Sequence, residues 1–324
     1  MIYTITLNPA LDHYLEVESL LMDDANRVKA ERLYAGGKGI DVSRAIRRLG
    51  GDSMALGFIG GHNGQIMVDL LKREGVTTYF TPVAQETRRD IIISARDSQQ
   101  TLLHAQGPVI TAEEWRCFLA HLRVLDLRDS YVALGGSLPR GVPADAYRQI
   151  AALVQSRGAK VILDADGPSL RAGLKARPFA IKPNLHELRR ATGKSLRTEA
   201  DILTAGKALN RAGIEVVMVS LGRRGLLVVS GRDRHRTALR AVPPPVAVRS
   251  RVGAGDSTVA GFILKQAGGK SLEDCVRFAT AAGTAATLAP GNQLCRLSDV
   301  QRLAPRVRIK TVMMTRGRGD TETR

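Results

Sequence analysis

Three observations predict an α/β fold in which helices wrap a parallel sheet. Short apolar runs recur along the chain, stretches of helical period lie between them, and turn residues rich in Gly, Asp and Pro close the runs. The first run is Tyr3 to Leu7. Further on, Gly36-Gly37-Lys38-Gly39 opens a helix whose apolar positions are Ile40, Val42, Ala45, Ile46 and Leu49. Met54 to Ile59 and Tyr131 to Leu134 are the next strands, the second closed by Gly135-Gly136-Ser137-Leu138-Pro139. Val161 to Asp164 follows and ends in Ala165-Asp166-Gly167-Pro168. A further strand precedes the run Ala180 to Glu187, in which Pro183 is placed to begin a helix, and Val216 to Ser220 is the last. The polar loops beyond these strand ends share one edge, where open α/β sheets bind ligands. Two stretches interrupt the alternation, Asp12 to Leu33 and Arg88 to His104, the latter carrying Asp90-Ile91-Ile92-Ile93-Ser94.

Composition excludes several classes. The chain has 324 residues, 44% of them hydrophobic, without a continuous apolar stretch of membrane-spanning length, and no basic-then-apolar leader precedes the first strand. A cytoplasmic globular protein with one large α/β unit is expected, without membrane partners. A net charge of +17 raises nucleic-acid binding, but only 4% of residues are aromatic, and Arg44, Arg47 and Arg48 read as one solvated helix face. Small polyanions suit the charge better. Cys117, Cys275 and Cys295 have no paired metal-ligand spacing and read as buried or half-buried free thiols. The segment after Arg306, rich in Arg, Gly and Thr, reads as a mobile basic tail.

The most specific motif is Val252-Gly253-Ala254-Gly255-Asp256-Ser257. Val259, Phe262, Ile263 and Gln266 fall at i, i+3, i+4 and i+7, so a helix starts here. Small residues at its mouth let an anion approach the free N–H groups of the first turn, and Asp256 is placed to take a proton from an attacking hydroxyl. A dinucleotide fingerprint would need a third small residue where Thr258 stands, and a P-loop ending in Gly193-Lys194-Ser195 would need glycine where Leu188 stands. Both are rejected. Asn184 and Glu187, three apart behind Pro183, offer oxygen ligands suited to hydrated Mg²⁺.

With these segments in order, the chain resembles the phosphofructokinase branch of the PfkB (ribokinase-like) family of ATP-dependent carbohydrate kinases. Its opening Thr6-Leu7-Asn8-Pro9-Ala10-Leu11-Asp12 is similar to that branch, and the stretch from Val242 through Gly253 to Leu288 most resembles the minor 6-phosphofructokinases. The resemblance implies a ribokinase-like parallel-sheet sandwich with helices on both faces, built from 1–11, 34–87 and 105–307. It also implies a small β-sheet lid from 12–33 and 88–104 that covers the sugar and pairs with a second subunit as a homodimer; 308–324 is left as the tail. ATP, Mg²⁺ and a monovalent cation such as K⁺ are the implied cofactors.

Residue by residue, the resemblance makes Asp256 the base and the N–H groups behind Gly253, Ala254 and Gly255 an anion hole. It puts Asn184 and Glu187 on Mg²⁺, Lys182 on the nucleotide phosphates, and Ser220, Gly222, Gly225, Gly283 and Thr287 along the nucleotide. Ser250, Val252 and Ala286 match the monovalent-cation site. Asp12, Gly36 and Gly37 match the sugar subsite, and Arg88 and Ser137 the phosphate of the acceptor, for which a guanidinium fork is well shaped. One departure stands out: relatives carry asparagine where this chain has Asp41. An anion there removes a donor and adds repulsion beside a phosphorylated sugar, with three outcomes open: altered hydroxyl preference, a protonated Asp41, or compensation by a lysine such as Lys38. Ala35 replaces a frequent proline, and Arg249 and Arg251 flank Ser250 where smaller residues are usual.

The expected reaction is transfer of the ATP γ-phosphate to the 1-hydroxyl of fructose 6-phosphate, giving fructose 1,6-bisphosphate. Fructose 1-phosphate and tagatose 6-phosphate fit the same motifs. A catalytically weak sugar-phosphate-binding regulator is the alternative from another class, motivated by Asp41 and opposed by the retention of Asp256, Asn184 and Glu187.

Overall fold

The computed structural model describes residues 1–95, 100–231 and 237–312. In chain order its strands and helices are β1 (Ile2–Thr6), β2 (Ala10–Val17), β3 (Val28–Gly36), α1 (Lys38–Arg48), β4 (Met54–Ile59), α2 (Gly61–Arg73), β5 (Thr77–Thr78), β6 (Thr81–Pro82), β7 (Arg88–Ala95) and β8 (Gln100–Leu103). Then come α3 (Ala112–Val124), β9 (Tyr131–Gly135), α4 (Ala146–Gln155), β10 (Lys160–Asp164), α5 (Gly167–Leu174), β11 (Ala180–Ile181), α6 (Leu185–Thr192), α7 (Glu199–Arg211) and β12 (Val216–Ser220). The chain continues through β13 (Leu226–Ser230), β14 (Thr237–Val242), α8 (Ala254–Ala267), α9 (Leu272–Ala286), α10 (Leu297–Leu303) and β15 (Arg308–Thr311).

The large sheet runs β15-β14-β13-β12-β11-β10-β9-β1-β4-β5, with β6 beside β4. From β12 to β5 the pairs are parallel. Side chains of each strand alternate between two cores, as the pleat demands. Val132, Leu134, Val217 and Val219 pack with Trp115 and Phe118 of α3, Ile150 of α4 and Ile202 of α7. Tyr131, Ala133, Val216 and Met218 pack with Ala45 of α1, Phe262 of α8 and Val276 of α9. Helices therefore cover both faces. On the second face α8 and α9 pack closely because the contact is made of small residues: a Cβ on Gly261 would lie 3.0 Å from Ala282 Cβ. That packing fixes where the N-terminus of α8 points.

The edge beyond β12 differs from a continued α/β alternation. β13, β14 and β15 add as an antiparallel meander. β15 also corrects the expected tail: Arg308 pairs with Val242 and Thr311 with Leu239, so the chain stays in the sheet to Thr311, while residues 313–324 lie outside the described ones. Cys117 corrects another expectation, being exposed, whereas Cys275 and Cys295 are buried.

The two interrupting stretches form a separate sheet, β3-β2-β7-β8. β2 pairs parallel with β7, placing Ala10 opposite Arg88 and Asp12 opposite Asp90. β3 runs on to Gly36, so the glycine turn begins inside this small sheet and delivers the chain directly into α1. Leu11 and Ala35 are buried with Ile40 of α1 and Met67 of α2, which seats the small sheet on the large unit.

Candidate active site

Helix α8 starts at the C-terminal edge of the sheet with an unusual cap. Gly253 holds φ 73° at the N-cap and no side chain caps the helix there, while the Ala254 N–H donates to the Arg251 carbonyl at 3.5 Å. Glycine is required here twice over, by the left-handed backbone and because a Cβ would meet Leu294 Cδ2 at 2.2 Å. Asp256 is buried in the first turn with Oδ1 unpartnered. Burial lifts its pKa to about 6; Lys38 and Lys182 pull it back and Asp164 pushes it further.

Asp164 organises this charge. It ends β10, is 4% exposed, and its two oxygens lie 3.0 Å from Lys38 Nζ and 3.3 Å from Lys182 Nζ. Burial would raise its pKa, but the two ammonium groups hold it below the usual carboxylate range. The lysines thus converge from α1 and from the end of β11, and a Cβ on Gly255 would sit 3.2 Å from Lys182 Nζ. An N-terminal helix turn and two ammonium groups facing one gap suit a polyphosphate.

Asn184 and Glu187 are brought together, but not as residues of one helical face. Asn184 is the N-cap of α6, and a capping box ties the pair: Asn184 Oδ1 accepts from the Glu187 N–H at 2.9 Å, and Glu187 Oε2 accepts from the Asn184 N–H at 2.8 Å. Pro183 accordingly precedes the helix instead of beginning it, its carbonyl accepting from the Ser220 N–H at 3.0 Å. The cap engages one carboxylate oxygen of Glu187. Among the described residues no group of three or more His, Cys, Asp or Glu side chains is arranged to hold a metal.

A cleft of about 180 Å³ lies between the two sheets, lined by Asp12, Gly37, Lys38, Asp41, Arg88, Asp90, His104, Ser137, Val252 and Asn292 among others. Gly36 closes against it, since a Cβ there would fall 2.3 Å from Asp12 Oδ2. Arg88 is held at its mouth by the carbonyls of Asn8 and Ala105, both at 3.1 Å, and by Asp90 at 3.3 Å. Ser137 Oγ accepts from Asn8 Nδ2 at 3.1 Å. Deeper in, Asp41 pairs with Arg44 at 2.9 Å and both carboxylates, Asp12 and Asp41, accept from Asn292 Nδ2. Burial raises Asp12 to about 6 and Asp41 well above its ordinary value. Of the three outcomes left open at Asp41, the compensating cation is Arg44 and not Lys38, which faces Asp164. Arg44 is fully buried, correcting its reading as a solvated residue.

Of the other nucleotide-motif positions, Val252 lines the cleft and the rest are not among its lining residues. Gly222 opens a 3-10 turn, and Gly225 holds φ 87° where a Cβ would meet the Ala241 carbonyl at 2.0 Å. The Thr287 carbonyl accepts from the Arg249 N–H at 2.8 Å, tying the segment before α8 to the end of α9, and within that segment Ser250 Oγ accepts from the Val252 N–H at 3.2 Å. Gly283 lies inside the α8–α9 crossing, where a Cβ would meet Thr258 Oγ1 at 2.2 Å. Lys38, Asp164, Arg44 and Asn292 are what geometry adds to the sequence-derived set. Asp41 and Arg44 at i, i+3 were a readable signal for one of them.

A profile described as pfkB family carbohydrate kinase matches residues 5–299. The chain belongs to this family. It is 34% identical over 312 residues to a 1-phosphofructokinase of Borreliella burgdorferi, covering 96% of this chain and 99% of that protein. It is 36% identical over 303 residues to an ATP-dependent 6-phosphofructokinase isozyme 2 of Mycobacterium tuberculosis, covering 93% and 88%. The crystal structure of phosphofructokinase-2 from Escherichia coli in complex with potassium superposes with a TM-score of 0.89 at 33% identity, covering 94% of this chain and 98% of that one. This pfkB kinase is thus an ATP-dependent sugar-phosphate kinase on a ribokinase-like fold. No helix among its described residues is long and apolar enough to cross a membrane.

Proposed function

We propose that this kinase transfers the γ-phosphate of ATP to the 1-hydroxyl of fructose 6-phosphate, giving fructose 1,6-bisphosphate. The observation that carries the reading is Asp256: a buried carboxylate with a free oxygen, in the first turn of an uncapped helix and electrostatically coupled to two lysines. A base so held accepts the hydroxyl proton while the N–H groups of Ala254, Gly255 and Asp256 stabilise charge on the transferring group. Lys182 and Lys38 steady the nucleotide phosphates, with Asp164 fixing both ammonium groups. Arg88 grips the acceptor's own phosphate with Ser137 beside it, and Asp12 and Gly36-Gly37 seat the ring.

Mg²⁺ fits this donor set as a hydrated ion that takes one or two carboxylates and the nucleotide's phosphates. Glu187 and Asn184 are the residues that would hold it, largely through water, and bound there it would neutralise charge on the phosphates. The backbone near Ser250, Val252 and Ala286 is read as a monovalent-cation site, in keeping with the potassium in the Escherichia coli structure. Val28, Leu102 and Leu103 leave apolar area exposed on the small sheet, which supports a homodimer through that sheet. Ser220, Gly222, Gly225, Gly283 and Thr287 are assigned to the nucleotide side by resemblance alone; the packing around Gly225 and Gly283 accounts for those two glycines without a ligand.

Fructose 1-phosphate is the second reading, favoured by the similarity to 1-phosphofructokinases. The test is ADP release with ATP and Mg²⁺ against fructose 6-phosphate, fructose 1-phosphate, tagatose 6-phosphate, fructose and ribose, with Asp256→Asn as control. Dominant turnover of fructose 6-phosphate is expected. Preference for a sugar without phosphate would remove Arg88 from its role, and the absence of Asp256-dependent turnover on every sugar would bring back the regulator.

A further inference from the structure

An asparagine side chain brings two donor hydrogens and one acceptor oxygen. Asn292 spends both hydrogens on carboxylates: its Nδ2 lies 3.1 Å from Asp12 Oδ2 and 3.1 and 3.3 Å from the oxygens of Asp41. With the amide reversed, its oxygen would face carboxyl oxygens, one of them the Asp41 Oδ1 that already accepts from Arg44 Nη1, so the network decides which end faces them. Oδ1 is thereby left buried and without a partner, on a fully buried residue that lines the cleft between the sheets. Buried carbonyl oxygens are seldom left unpaired. The backbone of the same residue is fixed as well, its carbonyl accepting from Arg44 Nη2 at 3.3 Å, while Arg44 Nη1 holds Asp41. The side-chain nitrogen and the backbone carbonyl of Asn292 are therefore both held by groups on α1 and β2.

We propose that Asn292 is a specificity-determining residue for the acceptor, its Oδ1 taking a hydrogen bond from one sugar hydroxyl beside the one Asp12 takes, with Asp41 a positioning residue that holds the amide in that orientation. This rests on the sugar-kinase reading above. Two fixed acceptors side by side require two donors at matching spacing, and vicinal hydroxyls supply them. Inverting one carbon of the sugar misplaces one donor and leaves a buried oxygen unpaired, and it is this mismatch that discriminates between epimers. The carboxylate at position 41 fits the same picture, because the amide it lacks is supplied across 251 residues of sequence.

The experiment compares wild type with Asn292→Ala and Asp41→Asn on fructose 6-phosphate and tagatose 6-phosphate, which differ at one hydroxyl-bearing carbon, with fructose and ribose in the same panel. For Asn292→Ala the acceptor KM should rise about tenfold, the ATP KM should hold, and the ratio of kcat/KM between the epimers should fall about tenfold. Asp41→Asn should move the epimer ratio in the same direction by a smaller factor, and it serves as the readout if the alanine variant does not fold. Epimer ratios within twofold of wild type in a folded variant, or a fall in kcat alone, would overturn the role of Asn292. If the best wild-type acceptor carries no phosphate, the proposed reaction falls instead, and Asn292 is judged by the same ratio on that sugar and its epimer.

Discussion

Asp41 Oδ1 lies 2.9 Å from Nη1 of Arg44, and the Arg44 side chain is 0% exposed. Nη1 also donates to the Ala35 carbonyl at 3.0 Å, and Nη2 reaches Glu74 at 3.0 Å and the Asn292 carbonyl at 3.3 Å. One guanidinium thus ties α1 to the small sheet, to the end of α2 and to the loop after α9. Arg44→Met should cost about 3–5 kcal/mol, because it strands the Asp41 carboxylate in the interior. The double variant Arg44→Met, Asp41→Asn should recover part of that loss. Urea unfolding of the two proteins checks it, and a single-variant loss below about 1 kcal/mol would show that the pair carries little.

Asp256→Asn keeps the shape of the site and removes the proton acceptor. Turnover should drop by about a hundredfold to ten-thousandfold while ATP binding, followed by calorimetry, stays within a few-fold of wild type. Near-normal turnover would exclude Asp256 as the base.

The acid limb of activity should reflect the buried carboxyls. Burial raises both Asp256 and Asp12 from 3.8 to about 6. A base works only when ionised, so the sign is a loss of kcat/KM as pH falls through about 6, by about tenfold per unit or more if both groups must be ionised. A profile that stays flat down to pH 5 would mean that neither carboxyl titrates there in the free enzyme.

Arg88→Ala should chiefly raise the acceptor KM, by about tenfold or more, since charge-assisted hydrogen bonds to phosphate are among the stronger polar contacts. The same variant should narrow the preference for phosphorylated over unphosphorylated sugar. An unchanged KM would place the acceptor's phosphate elsewhere, for instance at Arg89, whose guanidinium reaches Asn63 Oδ1 at 2.9 Å in the neighbouring cleft.

The parts of this molecule that could be read from sequence are those whose signal is local. Met54–Ile59 and Val216–Ser220 are strands in both readings because an apolar run bounded by turns announces a buried strand within a few residues. The glycine turns before α1 and α8 were legible for the same reason. β15 was not, since Arg-Ile-Lys-Thr carries little apolar content and is a strand only because β14 offers it a partner. Arg44 was misread because its neighbours Arg47 and Arg48 suggested one solvated face, though Asp41 one turn earlier pointed inward with it. Asn292 had no local signal at all. Its meaning depends on two carboxylates that reach it only after the small sheet, α1 and the loop behind α9 have come together.

Two glycines of the α8 motif separate what the fold needs from what a ligand needs. Gly253 holds φ 73°, and a Cβ would strike Leu294 Cδ2 at 2.2 Å and crowd Asn292 Oδ1 at 3.2 Å. Gly253→Ala should therefore lose about 2–5 kcal/mol of stability, from left-handed backbone strain and overpacking together. Gly255 lies within the helix and has an ordinary φ, and a Cβ there meets only the end of Lys182, with Nζ at 3.2 Å. Alanine at 255 should leave stability unchanged or raise it by up to about 1 kcal/mol, as alanine does inside a helix. It should nonetheless raise the KM for ATP, because the methyl occupies the space between the helix N-terminus and the ammonium group. Thermal melts and nucleotide kinetics on the two variants read the effects independently, and an unchanged KM for ATP in Gly255→Ala would place the phosphates away from this turn.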